Sequence, residues 1–494
     1  MTATSSARLL GGLLLATVGF GLHAAACKKT TDTPAAAADA PAPAAPAADD
    51  AAQAPATPDA AAAPTVDSVE ESPPPAEAAP DSEAAPPTAD AEPEPLDETP
   101  PPPPAEAAPL ETAEAAAVRA AADPFAADLF ARLAGTGTNV AFSPISVLIA
   151  LGMTSAGARA DTAVEMERVL HLGDDPDRTR ELLGRVQRLL PRGGDGPVEL
   201  AVANRLFAER SYDFKPEFFE LLATQYAAPL ERVDFIGRFE AVRGRINSWV
   251  AEQTRDRIPL ILPDGSLDTL TRLVLVNAIY FKGKWALEFP KRATRPRPFT
   301  LPDGTEVEVP TMAVTGSFGL ARRDGAQLLE LPYRGDELSM VVVLPPEGTV
   351  PDAWLVADNL ARIDRLPRTN VEVRLPSFTI DPPEPLNLTN DLKALGMPRA
   401  FDRVQAAFDG IADPPDPLDR LCIASVYHRT FVQVDEEGTE AAASTAVVMR
   451  SVRGAGPSRT PVFHADRPFL FFLRERRTGL ILFAGRVNDP RARS

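Results

Sequence analysis

The sequence predicts an α+β domain built on large, mostly antiparallel or mixed sheets. Three observations carry that expectation. Amphipathic helical patterns fill the first half of the patterned region, which begins near Arg119. Runs rich in β-branched and aromatic residues fill the second half. No βαβ alternation joins them, and no internal repeat is apparent.

Each element has its own local signal. DPFAADLFARLA (123–134) opens on Asp-Pro and spaces Phe125, Leu129, Phe130 and Leu133 along one helical face. SPISVLIALGMTSAGA (143–158) starts with a Ser N-cap and a first-turn proline, and its apolar residues run all round, so this helix should be buried. DTAVEMERVLHL, FKPEFFELLATQY and FEAVRGRINSWVAEQTRD give three further helices with clear faces. RLVLVNAIYFKGKW reads as a strand buried on both sides and closed by Lys-Gly. ELPYRGDELSMVVVLP places two apolar runs around Arg-Gly-Asp, a hairpin signal. NVEVRLPSFTI then gives a strand, LNLTNDLKALGM a helix, and the C-terminal runs give strands.

Composition divides the 494 residues in two. Residues 30–118 are almost entirely Ala, Pro, Asp, Glu, Ser and Thr, with nineteen acidic residues and no Lys or Arg. Residues 119–494 carry 47 basic and 50 acidic residues, so the net charge of −19 belongs to the low-complexity stretch. A nearly neutral domain gives no support for nucleic-acid binding by charge, nor for activation by a polyanion. The low-complexity stretch cannot bury enough surface to offset chain entropy, and its prolines and like charges favour an extended tether.

At the N-terminus, MTATSSAR is a weakly basic start and LLGGLLLATVGFGL a short apolar run. About fourteen residues are too few to span a bilayer core of about 30 Å as a helix. HAAAC then sets small residues before Cys27, a pattern similar to a bacterial lipoprotein signal, although Ala24 stands where Leu is usual. The expectation is a signal peptide over 1–26, a lipid on Cys27 and a tether over 27–118 leading to a domain over 119–494. The chain is thus expected to be exported and held on a membrane or envelope surface through that lipid, or else simply secreted.

Chemistry for catalysis is sparse. After the signal, only His171, His428 and His464 remain, and their spacing supports neither a metal site nor a His-based mechanism. No HExxH, paired CxxC, GxxxxGK[ST] or GxSxG occurs. Cys422, in LCIASV, reads as a small buried apolar residue with no disulfide partner. No catalytic residue, metal or cofactor is assigned.

The oddest stretch is EEGTEAAASTAVVMRSVRGAG, Glu436–Gly456, set between LCIASVYHRTFVQVD and TPVFHADRPFLFFLRERRTGLILFAGRV. As a strand it would carry Thr439, Ala441, Ala443, Thr445 and Val447 on one small uncharged face, and Glu440, Ala442, Ser444, Ala446 and Val448 on the other. No proline lies between Gly438 and Gly456, so each backbone N–H is free to join a ladder. A helix capped by Thr439, or a plain loop, fits the same residues.

EEGTEAAAST strongly resembles the hinge of the reactive-centre loop of inhibitory serpins. The likeness extends in order over roughly residues 120–490, through NVAFSPISVLIALGMTSAGARADT, RINSWVAEQTRDRI, LVLVNAIYFKGKWALEF, ELPYRGDELSMVVVLP, LKALGMPRAF, VYHRTFVQVDEEGTEAAAST and DRPFLFFLRERRTGLILFAGRV. The resemblance implies the serpin fold, with three β-sheets, about nine helices and an exposed reactive-centre loop. It also implies a non-catalytic suicide inhibitor. A target serine or cysteine protease acylates on the loop. The loop's N-terminal part then enters the central sheet as an extra strand, and the attached protease is distorted before it can deacylate. Before cleavage, the hinge is expected to lie in solvent with its strand unpaired.

Residue by residue, the resemblance assigns the hinge to Glu436, Glu437, Gly438, Thr439, Glu440, Ala441, Ala442, Ala443, Ser444 and Thr445. Counting fourteen residues on from Gly438 puts the reactive bond at Val452–Arg453, which suits an elastase-like pocket. A shorter loop presents Arg450–Ser451 and a longer one Arg453–Gly454, both suited to trypsin-like enzymes. The stretch GAGPSR leaves that register open. Ser143, Ser146, Asn277 and His428 match the polar shutter beneath the central sheet, and Trp285 matches the aromatic where insertion begins. A monomer is expected. The alternatives are a non-inhibitory serpin acting as a binding module and, more remotely, a hydrolytic envelope enzyme.

Overall fold

A computed structural model describes residues 107–493 apart from 134, 136, 138, 191–197, 229, 365, 415, 417, 418 and 440–459. The signal, Cys27, the tether up to 106, hinge residues Glu440–Thr445 and every candidate reactive bond lie outside the described residues.

The first helix corrects the sequence reading. Helix α1 runs Thr112–Leu133, so it begins inside the expected tether and passes through Pro124. Its alanine-rich first turns are strong helix formers. Leu110, Ala115 and Val118 are buried there. Asp123 is not a cap. It accepts from the Arg119 side chain four residues earlier, at 3.2 and 3.1 Å, in the turn just before the proline.

Strand β1 (Val140–Phe142) leads into α2 (Pro144–Ser155), whose N-cap is Ser143 as expected: its hydroxyl accepts from the Ser146 N–H, and every helix residue is buried. Helices α3 (Ala160–Val169) and α4 (Pro176–Leu189) precede the long strand β2 (Val198–Glu209). Helix α5 (Pro216–Leu221) continues as a π turn to Tyr226, so FKPEFFELLATQY is not one regular helix. Strand β3 (Glu231–Val233) and α6 (Phe235–Gln253) follow, with α6 kinked at Arg238. Next come β4 (Leu273–Lys284), β5 (Arg295–Thr300), β6 (Glu306–Arg323) and the hairpin β7 (Ala326–Pro332) with β8 (Leu338–Leu344). Helix α7 (Ala357–Leu360), strands β9 (Arg368–Pro376), β10 (Phe378–Ile380) and β11 (Leu386–Asn387), and helix α8 (Thr389–Leu395) complete the middle of the chain. The last strands are β12 (Val426–Val434), β13 (Gly438–Thr439), β14 (Val462–His464), β15 (Phe469–Glu475) and β16 (Ile481–Val487).

These strands form a seven-stranded sheet, ordered β10-β12-β13-β4-β2-β3 with β11 beside β12, and a nine-stranded one. The nine-stranded sheet joins two parts through β6, which pairs β5 at its start, β9 along its middle and β7 at its end. The described residues thus form two hydrogen-bonded sheets, the larger continuous through β6, and hold eight α-helices in the expected α+β architecture. Strand β4 is buried on both faces. Leu275, Ile279 and Phe281 join the main core with α2, whereas Val276, Ala278 and Tyr280 pack with Val242, Ile246 and Val250 of α6. The central sheet therefore lies between two apolar layers, and any added strand must fit both.

Candidate functional site

The site is the gap between β4 and β12. These strands run parallel and pair directly from Val426↔Leu275 to Phe431↔Tyr280. Beyond that stretch they part, and β13 sits between them. Gly438 pairs with Lys284, and Thr439 pairs with Gly283 on one side and Val434 on the other, both antiparallel. This corrects the expectation of a wholly solvent-exposed hinge: Thr439 is already laddered on both sides and Gly438 on one, and Thr439 is 1% exposed.

Local chemistry makes this reversal. The Asp435 carboxylate accepts from the N–H groups of Glu437 (2.9 Å) and Gly438 (3.2 Å), turning the chain from β12 into β13. Burial, with Glu436 and Glu437 close by, pushes the Asp435 carboxyl above its ordinary range. Glycine is required at the crossing: a Cβ on Gly438 would lie 2.0 Å from the Gly283 carbonyl oxygen. A Cβ on Gly283 would in turn meet the rings of Phe281 at 2.6 Å and Tyr333 at 2.8 Å.

Trp285, matched above to the start of insertion, holds the base of the turn. Its backbone N–H donates to the Glu437 carbonyl at 2.9 Å and its indole N–H to the Asp435 carbonyl at 3.0 Å. It is 1% exposed and stacks on Tyr333 at 4.5 Å. The Tyr333 hydroxyl is 2.7 Å from that of Thr439. Lys291 pairs with Glu437 at 2.7 Å, and the Thr294 hydroxyl donates to Glu436 at 2.6 Å. The Lys291 ammonium is held above its usual range by that hydrogen bond.

Below the gap, the structure brings Ser143, Ser146, Asn277 and His428 together. The Ser143 N–H donates to His428 Nε2 at 2.9 Å, so Nδ1 carries the proton and donates to Asn277 Oδ1. Asn277 and His428 are direct neighbours across the β4–β12 ladder. Full burial pushes the imidazole down to about 3, so it is neutral at physiological pH. Asn277 Nδ2 donates to the Ser146 hydroxyl at 2.5 Å and to Asn204 Oδ1. Sequence reasoning missed Asn204 and its partner Gln187, which accepts from Asn204 Nδ2 at 2.9 Å. An uncharged polar residue in the largely apolar run AVANRLF was the available signal for Asn204; nothing local marked Gln187.

Cys422 is half-buried, and burial raises its thiol out of the reactive range. His171 meets Asp128 at 2.8 Å, and His464 lies on β14 with its pKa lowered by burial.

Comparison with known proteins converges on one family. The family model described as "Serpin (serine protease inhibitor)" matches residues 120–490. An uncharacterized serpin-like protein of Thermococcus kodakarensis is 38% identical over 374 residues, covering 75% of this chain and 85% of that protein. Serpin B8 of Homo sapiens is 40% identical over 365 residues, covering 71% and 93% respectively. Leukocyte elastase inhibitor of Xenopus tropicalis is 37% identical over 385 residues, covering 74% and 97%. Among solved structures, uncleaved ovalbumin aligns with TM-score 0.66 at 28% identity, covering 76% of this chain and all of the ovalbumin chain. The thermophilic serpin tengpin in its native state aligns with TM-score 0.68 at 26% identity, covering 78% and 96%. With the family model spanning residues 120–490 and a two-residue strand seated between β4 and β12, this chain belongs to the serpin family.

Proposed function

We propose that this chain is a suicide-substrate inhibitor of serine, and of some cysteine, endopeptidases, itself without catalytic activity. The observation that carries the reading is the place of Gly438–Thr439 at the mouth of the gap. Extending their register antiparallel sets residues 440–447 opposite 282–275 of β4 and 433–426 of β12. Ala441 then falls beside Phe281 and Val432, Ala443 beside Ile279 and Thr430, and Thr445 between Asn277 and His428. Side chains larger than these would have to displace a packed core, at about 1–3 kcal/mol each.

The energetic direction follows from the ladders. Insertion breaks one parallel ladder, six residue pairs long, and makes two antiparallel ones. Each net hydrogen bond contributes about 0.5–1.5 kcal/mol, and about ten forming together make the intact state metastable once the loop is free to move. The Asn277–His428 bond spans the line of entry, so it must open before Thr445 can seat. That gives the polar cluster its role as a gate.

The name of the Xenopus relative, a leukocyte elastase inhibitor, supports an elastase-like target and agrees with Val452–Arg453 as the cleaved bond. Incubation with an elastase-like and a trypsin-like protease tests the reading. An SDS-stable complex of equal parts supports it, and turnover to nicked chain with full protease activity refutes it. We also propose export, with a lipid on Cys27 and a tether that ends before Thr112. Cys27→Ser should abolish membrane recovery and incorporation of labelled fatty acid.

A further inference from the structure

We propose that Gln187 of α4 is a positioning residue for opening of the central sheet, and that residues 107–114 set it through a clasp on the same helix. This rests on the insertion mechanism proposed above. Gln187 is 7% exposed, and its side-chain oxygen accepts from Asn204 Nδ2 at 2.9 Å. Asn204 Oδ1 in turn accepts from the Ser146 hydroxyl at 3.2 Å and from Asn277. Asn204 and Asn277 are register partners across β2 and β4. Gln187 is therefore where α4 grips the pair of strands on one side of the gap.

The other side of α4 is held by the entry of the chain into the domain. Glu114 accepts from Arg178 at 2.8 Å and from Arg185 at 2.6 Å. Arg185 also donates to the carbonyls of Ala108 (3.3 Å) and Pro109 (3.4 Å), and Arg477 donates to the carbonyl of Leu110 at 2.7 Å. Leu110 is 4% exposed. Arg185 and Gln187 stand two residues apart, on roughly opposite sides of the helix. The helix thus links a clasp made by the first described residues to the polar gate beneath the sheet.

When the Asn277–His428 bond opens, β4 and β2 can shift only if α4 follows or Gln187 lets go. Holding α4 through Glu114 opposes that shift. Releasing residues 107–114, by tension on the preceding chain or by a cut within them, eases it. The N-terminal segment acts as a rein on insertion as well as a leader into the fold.

Hydrogen exchange on the intact chain tests this without reference to any protease. Glu114→Ala and Gln187→Met should each quicken amide exchange across 275–280 and 426–431 by about fivefold, the equivalent of one net hydrogen bond. The double variant should add little to either, because both act on one linkage. As a control, Asn139→Ala, which removes the bonds to the Asp489 and Ala492 carbonyls, should leave those amides unchanged. Unchanged exchange in Glu114→Ala, or full additivity in the double variant, overturns the coupling. Protease complex formation by the same variants is read separately: loss of complex in the parent chain counts against inhibition, while the exchange result still decides the coupling.

Discussion

The hydroxyls of Thr439 and Tyr333 lie 2.7 Å apart, with both residues at most 1% exposed. The first small residue of the hinge is therefore held inside the protein by a dry hydrogen bond, while the ring that makes the bond stacks on Trp285. Tyr333→Phe keeps the ring and strands the threonine hydroxyl. It should cost about 1–3 kcal/mol in denaturant unfolding, and adding Thr439→Val should restore much of that loss, since removing both partners leaves no unpaired group. Additive losses would show that the two hydroxyls do not depend on each other.

Gly283 tests the crossing from the other side. A methyl there meets the Phe281 and Tyr333 rings closer than any relaxed contact. Gly283→Ala should destabilise the intact chain by about 1–3 kcal/mol. Circular-dichroism melts check it, and an unchanged Tm would mean the rings yield freely.

Thr439→Arg puts a charged, long side chain where the gap begins. It should unseat β13, costing the intact chain stability, and make the chain a substrate. More inhibitor would then be consumed per protease inactivated, by about tenfold, which corresponds to about 1.4 kcal/mol in the competition between insertion and deacylation. Titration of residual protease activity reads this ratio. An unchanged ratio would place the decisive step elsewhere than the hinge.

Two buried groups give opposed pH dependences. His428, pushed down to about 3, is neutral in the fold but protonated in the unfolded chain below about 6.5, so its contribution to stability falls as pH drops from about 6.5 to about 3. Asp123 is raised to about 6, chiefly by burial against the pull of Arg119. Its fold binds the proton more tightly than the unfolded chain, so its contribution falls as pH rises from about 4 to about 6. In Asp123→Asn the histidine contribution is no longer opposed by this carboxyl. The variant should lose stability on acidification more steeply than the parent, with a difference in slope of up to about 1.4 kcal/mol per pH unit. Parallel curves between pH 4 and 6 would contradict the assignment.

What was legible in the sequence was what local chemistry decides. The Ser143-Pro144 start of α2 and the two-sided burial of β4 follow from caps and apolar runs, and both are found. The start of α1 was misread because Asp123-Pro124 carries the signature of a helix beginning. Asp123 instead spends its carboxylate on Arg119, within a helix whose earlier turns are anchored by Leu110, Ala115 and Val118. Four members of the polar cluster were visible through the family resemblance. Asn204 and Gln187 were not, because they lie 73 and 90 positions from Asn277 and meet it only through strand register and helix packing. The seating of β13 was likewise hidden. It depends on how far apart β4 and β12 stand, which no run of residues reveals.

The most direct measurement is the melting temperature of the chain after a single cut between residues 450 and 454, compared with the intact chain. If β13 is the first rung of a strand that completes itself on release, the nicked form should melt tens of degrees higher, or fail to melt below boiling. A nicked chain that melts with the uncut one would mean the gap between β4 and β12 stays closed.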